Sequence, residues 1–459
     1  MIERSFRMKA RTMLATFAGR FAQWGLKTFS GGGSSYPGQL ATKIDPNILS
    51  ELGKEYKVIV VTGTNGKTVT TSLIVNILRE KFEHVMTNDT GSNMVQGLIT
   101  SFILDAGKGR KQTNKIAVLE VDEASLRNVT NHIKPELIVV TNVFPDQVER
   151  YSSIEKTYEI ILEGVNKTPE SILLLNGDAP TLNSVDTVNP RQYFGFSNKG
   201  VEAALQADEG TEGIHCPTCG ESLHYNFISY SNLGDYYCRN CGFKRPELDY
   251  QVDEVTDLSA DSVSFTIADY DFTLPLAGLY NVYNALSAYS VARHIGINEE
   301  TIAAGFAKQN RLFGRQEILE IGDKKVELNL IKNPVGLNQV IELILGETEP
   351  YTLITVLNDN PADGKDISWI EAGDFEKLVE MPIVKNYYAG IRKEDLNKRL
   401  VQAGFKADEL IALEDDKEIL EAIKTAPTEK VYLLTTYTAL LSVREIFVEQ
   451  GFIKDRMQA

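Results

Sequence analysis

The sequence predicts an α/β protein made of two parallel-sheet units in tandem, the first interrupted by a small cysteine-bearing insertion. Apolar runs of strand length alternate with stretches of helical periodicity along most of the chain, the pattern of a parallel sheet covered by helices. The first of these runs, Lys57 to Thr62, ends in a glycine turn that opens a helix. Between about Gly200 and Pro246 the alternation breaks into a short segment, rich in glycine and tyrosine, that holds all four cysteines of the chain.

Composition narrows the function classes. At 459 residues the chain can bury two or three separate cores. With 43% hydrophobic and 24% charged residues it has the balance of a folded protein, not of a disordered one. The net charge of -16 repels nucleic acid and anionic head groups, so no nucleic-acid partner is expected and any anion site must be local. No stretch approaches the roughly 20 uninterrupted apolar residues of a membrane span. The expected location is the cytoplasm.

Residues 1–45 read as a basic helical segment followed by a loop. Arg4, Arg7, Lys9, Arg11, Arg20 and Lys27 stand against a single Glu3, interleaved with Met8, Leu14, Phe17, Phe21 and Trp24. Such a helix either lies on the inner face of a membrane as a peripheral contact or docks on its own protein, and docking is the commoner outcome and the expectation here. Gly31-Gly-Gly-Ser-Ser35 and Pro37-Gly38 favour turns and read as the loop before the first domain. That domain is placed at 46–318. Its strands are Lys57 to Thr62, Ile116 to Val121, Leu137 to Thr141 and Ile172 to Leu175; then, after an insertion at about 205–248, come Ser262 to Ile267, Asp271 to Leu276 and a helix from Asn281 to Gly296. A new pattern starts near Gln316. Strands Val326 to Ile331, Thr352 to Leu357, Val384 to Tyr388 and Lys430 to Thr435 alternate with helices such as Leu337 to Leu345, which makes 319–459 a Rossmann-like α/β domain.

Three motifs carry chemistry. Gly63-Thr64-Asn65-Gly66-Lys67-Thr68 lies where a strand enters a helix, so its backbone N–H groups and the helix dipole can cradle the phosphates of a nucleotide such as ATP. Lys67 would reach the outer phosphates and Thr68 would offer its hydroxyl to Mg²⁺; the strict phosphate-loop pattern would place a further glycine where Val61 stands. Glu120-Val-Asp122-Glu123 ends a predicted strand, where carboxylates face the crevice of a parallel sheet and can hold Mg²⁺; a solvated acidic turn is the equal alternative. Cys216-Pro-Thr-Cys219 and Cys238-Arg-Asn-Cys241, each leading into a glycine, form two knuckles that can enclose one ion with four thiolates. Structural Zn²⁺ is the expected ion; iron and a redox dithiol are the alternatives.

These residues, together with Thr141-Asn142, Asp146 to Arg150, Asn281 to Ala285 and Gly314-Arg315, follow one another in the order and spacing of the Mur ligases. The chain resembles their central domain and that of folylpolyglutamate synthase. It is more closely similar to the MurT family, the ligase subunits of the lipid II isoglutaminyl synthases of Gram-positive bacteria. That likeness extends through the ribbon, Lys332-Asn-Pro334 and Leu357 to Trp369. The resemblance implies an ATP-dependent carbon–nitrogen ligase of peptidoglycan synthesis in which Lys67, Thr68, Glu120 and Arg315 serve the phosphates and Mg²⁺, and Asn284 meets the nucleotide base. It implies that the α-carboxylate of D-glutamate in lipid II, or in a related lipid-linked muropeptide, becomes an acyl phosphate that ammonia converts to D-isoglutamine. It also implies a heterodimer with a GatD-like glutaminase, in which Asp366 completes the partner's triad. The chain has no cysteine outside the ribbon, so a thiolate for glutamine hydrolysis has to come from elsewhere. On the residues alone, Asp363-Gly364 and Asp366 read better as a capped turn before a helix.

Two departures from the wider Mur pattern stand out. The C-terminal domain opens with Asn329-Leu-Ile-Lys332-Asn-Pro334 where many Mur ligases carry an aspartate and a histidine, and only Lys156 and Lys167 lie near the place of their carbamylated lysine. The segment ahead of the loop is too short for a nucleotide-sugar-binding domain, which suits a lipid-linked substrate. An amino-acid-adding ligase of the Mur or folylpolyglutamate type, acting alone, is the alternative.

Overall fold

The computed structural model describes residues 9–29, 35–88, 92–108, 115–144, 153–197, 213–259 and 261–454. The predicted Asp146 to Arg150 stretch and the Gly31–Ser34 run lie outside them.

The N-terminal side of the central unit consists of α1 (Ala10–Phe29), α2 (Tyr36–Ile44) and α3 (Ile48–Gly53). Tyr36–Ile44 is a helix where a loop was expected. Pro37 sits in its first turn, where a missing N–H costs nothing. Gly38 is there for close packing: a Cβ on it would stand 1.9 Å from the Gln96 carbonyl oxygen of α5 (Val95–Asp105).

The central sheet has seven strands in the order β2-β3-β1-β4-β5-β6-β9: β2 (Val85–Thr87), β3 (Lys115–Glu120), β1 (Tyr56–Thr62), β4 (Leu137–Val140), β5 (Ile172–Asn176), β6 (Arg191–Phe196) and β9 (Tyr250–Val252). Every neighbouring pair is parallel. Its middle strands are buried on both faces, which is why they read as unbroken Val, Ile and Leu runs. The edge strands β2 and β9 are three residues each and half of β6 is polar, so none gives a sequence signal. Helix α4 (Lys67–Lys81) leaves the central strand β1, and the Leu279–His294 helix packs along it.

Strands β10 (Glu254–Leu258), β11 (Val263–Ile267) and β12 (Tyr270–Leu274) form an antiparallel sheet, and β7 (His224–Tyr230) and β8 (Leu233–Tyr237) form the ribbon hairpin. The C-terminal sheet runs β13-β14-β18-β15-β16-β17: β13 (Glu317–Ile321), β14 (Lys324–Leu330), β18 (Lys430–Thr435), β15 (Tyr351–Val356), β16 (Ile383–Ala389) and β17 (Leu410–Ala412). Only its β13–β14 edge is antiparallel. A fully buried ion pair, Arg444–Glu317, ties β13 to the last helix, Tyr437–Glu449. Both phosphate-loop and Rossmann-like units are therefore present, each with its own core.

Candidate active site

The glycine loop occupies the carboxyl end of β1, between β3 and β4 in the middle of the central sheet. Gly63 and Gly66 adopt φ of +120° and +83°. Both positions need glycine twice over, because a Cβ on Gly63 would meet Thr141 Oγ1 at 2.4 Å and one on Gly66 would meet Asn284 Oδ1 at 2.1 Å.

Neighbouring strands hold the loop in shape. Asn65 N–H donates to Asn142 Oδ1 (2.9 Å), Thr141 Oγ1 and Asn142 Nδ2 donate to the Asn65 carbonyl (2.7 and 3.1 Å), and Thr64 N–H donates to the Asn142 carbonyl (3.0 Å). Thr64 Oγ1 accepts from Phe144 N–H at 3.1 Å. Thr141 and Asn142 are thus positioning residues, visible in the sequence only as a Thr-Asn pair at a strand end.

Lys67 bends back over the loop. Its Nζ donates to the Gly63 and Thr64 carbonyls and to Glu123 Oε1 at 3.1 Å. Burial works against the ammonium, but Glu123, Glu120 and Asp122 outweigh it and hold Lys67 above the usual lysine range. Glu123, in the first turn of α6 (Glu123–Val129), is the carboxylate that touches Lys67; the sequence placed it in the acidic run without singling it out. Thr68 is exposed at the mouth.

Glu120 ends β3 beside Val61. Its backbone is fixed by two bonds with the Asn88 amide, both 2.9 Å, and its Oε1 is approached by Asn93 Nδ2 at 3.5 Å. Neither asparagine stands in a recognisable motif. Burial lowers the pKa of Arg315, and Glu120 is the first charge that offsets the effect. The turn carrying Arg315 is held by Gly314 N–H to Glu317 Oε2 (3.0 Å) and Gln316 N–H to Asn329 Oδ1 (3.0 Å). Lys67, paired with Glu123, and Arg315 both feel the charge of Glu120, so two cations and two carboxylates share the surroundings of the glycine cradle, a balance that suits a Mg²⁺-bound polyphosphate.

Asn284, expected at the base, is 4% exposed beneath the loop. Its Oδ1 accepts from Thr70 Oγ1 at 3.3 Å and its Nδ2 donates to Asn281 Oδ1 at 2.9 Å. In this arrangement the amide lies against Gly66, with one N–H of Nδ2 and one lone pair of Oδ1 still uncommitted by these two bonds. Lys156 is half exposed and paired with Glu159, and Lys167 donates to the Arg127 carbonyl, so neither serves the cradle here.

The C-terminal unit closes over the loop. Asn333 caps the Pro334–Leu345 helix by accepting from Gly336 N–H (2.7 Å), and its Nδ2 crosses to Asn65 Oδ1 at 3.1 Å. Beside this bridge opens a cleft of about 950 Å³ lined by Phe144, Tyr230, Leu279, Val335 and residues of the C-terminal unit. Asp366 lies elsewhere, in the 357–369 connection after β15. Asp363 anchors that connection by accepting from Thr438 N–H (2.7 Å) and from Asn360 N–H (3.1 Å). Asp366 is half-buried, accepts from Ser368 N–H at 2.8 Å, and is held below the usual carboxylate range by its bonds to Ser368. The capped turn exists, and it presents an anionic acceptor at the surface.

In the ribbon, Cys216 N–H donates to the Glu221 carbonyl and Cys238 N–H to the Phe243 carbonyl; Gly220 and Gly242 close the two knuckles with φ of +78° and +77°. The four Sγ atoms lie within 4.8 Å of one another, with Cys216–Cys241 and Cys219–Cys238 at 3.5 Å. Thiolates about 2.3 Å from a tetrahedral zinc stand about 3.8 Å apart, so the donor set fits that ion. The hairpin is anchored through Arg245, which donates to Asp178 Oδ1 (2.9 Å) and the Phe196 carbonyl (2.8 Å). Tyr283 OH donates to Asp178 Oδ2 and meets Ser229 Oγ, both at 2.6 Å. The ribbon thereby delivers Tyr230 to the cleft wall and contacts the residue next to Asn284, a connection no sequence motif announces.

Comparison with known proteins agrees with this architecture. Residues 61–292 match the Mur ligase middle domain and residues 330–440 the MurT ligase C-terminal family. The chain is 41% identical over 98% of its length to the whole lipid II isoglutaminyl synthase (glutamine-hydrolyzing) subunit MurT of Streptococcus pneumoniae. It is 36% identical over 80% of its length, and 82% of the relative's, to the corresponding Staphylococcus aureus subunit. Among solved structures it is similar to a pseudomurein peptide ligase type C from Methanothermus fervidus, with TM-score 0.66 and 18% identity over 96% of this chain and 98% of that one. A Mycobacterium tuberculosis folylpolyglutamate synthase shares the fold at TM-score 0.62 and 13% identity, over 94% and 99% of the two chains. With a relative this similar along the entire length, the chain belongs to the MurT family of the Mur ligases.

Proposed function

We propose that the chain is the ATP-dependent amidoligase subunit of a lipid II isoglutaminyl synthase. It would activate the α-carboxylate of D-glutamate in a lipid-linked stem peptide and amidate it with ammonia from a GatD-like glutaminase. The observation that carries this reading is the convergence of Lys67, Arg315, Glu120 and Glu123 on one glycine cradle beside an interdomain cleft, in a chain whose thiols all lie in the ribbon.

The residues divide the work. Backbone N–H groups from Gly66 to Thr68 would hold the phosphates, and Lys67 would exchange its loop carbonyls for their oxygens while Glu123 keeps it oriented. Arg315 would face the γ-phosphate as the substrate carboxylate attacks it and ADP leaves. Ammonia then attacks the acyl phosphate carbon, phosphate departs, and the nitrogen loses a proton to give the carboxamide. Thr68 and Glu120 are the residues that would hold Mg²⁺, whose charge neutralises the phosphate oxygens. Asp366 would lie against the partner's histidine and stabilise its cation, as the third member of a triad does. Zinc in the ribbon would be structural.

The deciding experiment is mass spectrometry of a lipid-linked muropeptide incubated with the chain, ATP, Mg²⁺ and ammonium. A carboxyl converted to a carboxamide, with matching ADP release, is the expected product. A larger adduct formed from a free amino acid would instead place the chain with the amino-acid-adding ligases.

A further inference from the structure

Helix α1 is inside out. Its buried side chains are small or polar: Thr12, Ala15, Thr16 and Gln23 are each at most 7% exposed. Gly19 packs so tightly that a Cβ would stand 2.8 Å from Ile103 Cδ1. Polar bonds hold this face down. Thr12 Oγ1 donates to Asp45 Oδ2 at 2.7 Å, Arg20 donates to the Ile103 and Ala106 carbonyls, and Arg11 donates to the Ile44 carbonyl. The large apolar side chains point the other way, with Met13, Leu14, Phe17, Phe21 and Trp24 between 55% and 70% exposed. At about 100° per residue these five fall within roughly one third of the helix circumference, a continuous stripe. The expectation that α1 is docked on the protein holds, but by the face opposite to the one a docked helix buries.

We propose that this stripe is a docking surface for an anionic lipid bilayer. Charge selects the occupant. Residues 9–28 carry Lys9, Arg11, Arg20 and Lys27 and no acidic residue, in a chain of net charge -16. On the same helical count Lys9, Arg20 and Lys27 border one edge of the stripe; Arg20 stays on its two carbonyls, while Lys27, and Lys9, which is exposed beside Glu51, can extend their long stems toward head groups as the aromatic rings enter the interface. No described helix is long and apolar enough to cross a membrane, so the contact is peripheral. Helix α1 itself rests on α2 and α5 by its other face, and the docking does not depend on the proposed function.

The test uses the full chain with vesicles of phosphatidylglycerol and phosphatidylcholine and follows Trp24 fluorescence in a Trp369→Phe background, since the chain has two tryptophans. Binding to the anionic vesicles, with a blue shift of Trp24 and loss of binding as salt rises, is the expected result. Phe17→Ser with Phe21→Ser should weaken binding at least tenfold while amidation of a detergent-dispersed substrate is unchanged. Absence of binding, or equal binding to purely neutral vesicles at all salt concentrations, overturns the proposal. So does a Trp24 blue shift without lipid, whether it grows with protein concentration, which assigns the stripe to a second copy, or appears on adding the glutaminase, which assigns it to that partner. Failure of amidation with docking intact would instead count against the ligase reading.

Discussion

The two large sheets share one plan and differ where chemistry happens. In both, parallel strands feed helices whose N-termini gather at the carboxyl ends of the strands. In the central sheet, β1 passes to α4 through Gly63 and Gly66; Asn142 takes up the Thr64 and Asn65 N–H groups, and those from Gly66 to Thr68 open the helix where a phosphate would bind. In the C-terminal sheet, β14 passes to the Pro334–Leu345 helix through Lys332-Asn333-Pro334; Asn333 takes up the Gly336 N–H and Pro334 has none to offer. Topology therefore supplies the position, and the turn residues decide between a phosphate cradle and the wall that closes on it. Lys67 should dominate this contrast. In Lys67→Ala, ADP release with ammonium as nitrogen donor should fall roughly 10²- to 10³-fold, the range for removing one charge-stabilising donor. Because Glu123 would be left buried without its cation, a thermal melt should accompany the assay. A variant that melts normally and still turns over would move the chemistry away from this loop.

The second contrast lies within the C-terminal sheet, between two aspartates three residues apart. Asp363 is 7% exposed and bound to the start of the last helix, whereas Asp366 is only half-buried, with one backbone partner. Asp366→Asn in the complex with the glutaminase should cut glutamine-dependent amidation on the order of 10³- to 10⁴-fold, the cost of replacing a triad aspartate, and leave ammonium-dependent amidation intact. Equal loss with both donors would remove Asp366 from any triad.

What was legible follows the same division. Continuous apolar runs and the glycine turn disclosed the two sheets and the cradle, because burial on both faces and positive φ each restrict residue type. The paired knuckles disclosed the ribbon because four sulfurs at that spacing have few other uses. Asn88, Asn93 and Glu123 were not legible. They act through side-chain amides and a carboxylate brought together from distant positions, and polar residues at loop positions carry no period. The inverted face of α1 was hidden for a related reason: the pattern shows that a helix has two faces, but not which one the rest of the protein covers. Pro37-Gly38 misled because a turn composition also suits a first helical turn packed close to a neighbour.

The ribbon should give an intermediate effect. Cys238→Ser should lose metal, measured by elemental analysis, and free the hairpin that places Tyr230 in the cleft and Ser229 on Tyr283. A roughly tenfold rise in KM for the muropeptide or ATP is expected, about 1.4 kcal/mol. Tyr230→Ala with metal retained should reproduce most of it. Unchanged kinetics in both variants would make the ribbon independent of the cleft.

The smallest effect expected isolates the bond between the two units. Asn333 does two things: its oxygen caps a helix and its nitrogen reaches Asn65 across the cleft. Asn333→Ser keeps a capping oxygen but is too short to cross, whereas Asn333→Ala loses both. A lost cap costs about 1 kcal/mol, so Ala should lower the melting temperature and Ser should not. A neutral hydrogen bond contributes about 1 kcal/mol net, so both should raise KM for ATP by a similar factor, roughly three- to fivefold. If Ser matches the parent in KM while Ala does not, the cap alone matters and the closed cleft is held by packing around Pro334 and Phe144. If both rise together, Asn333 is the latch by which the sheet without a phosphate cradle holds the loop of the sheet that has one.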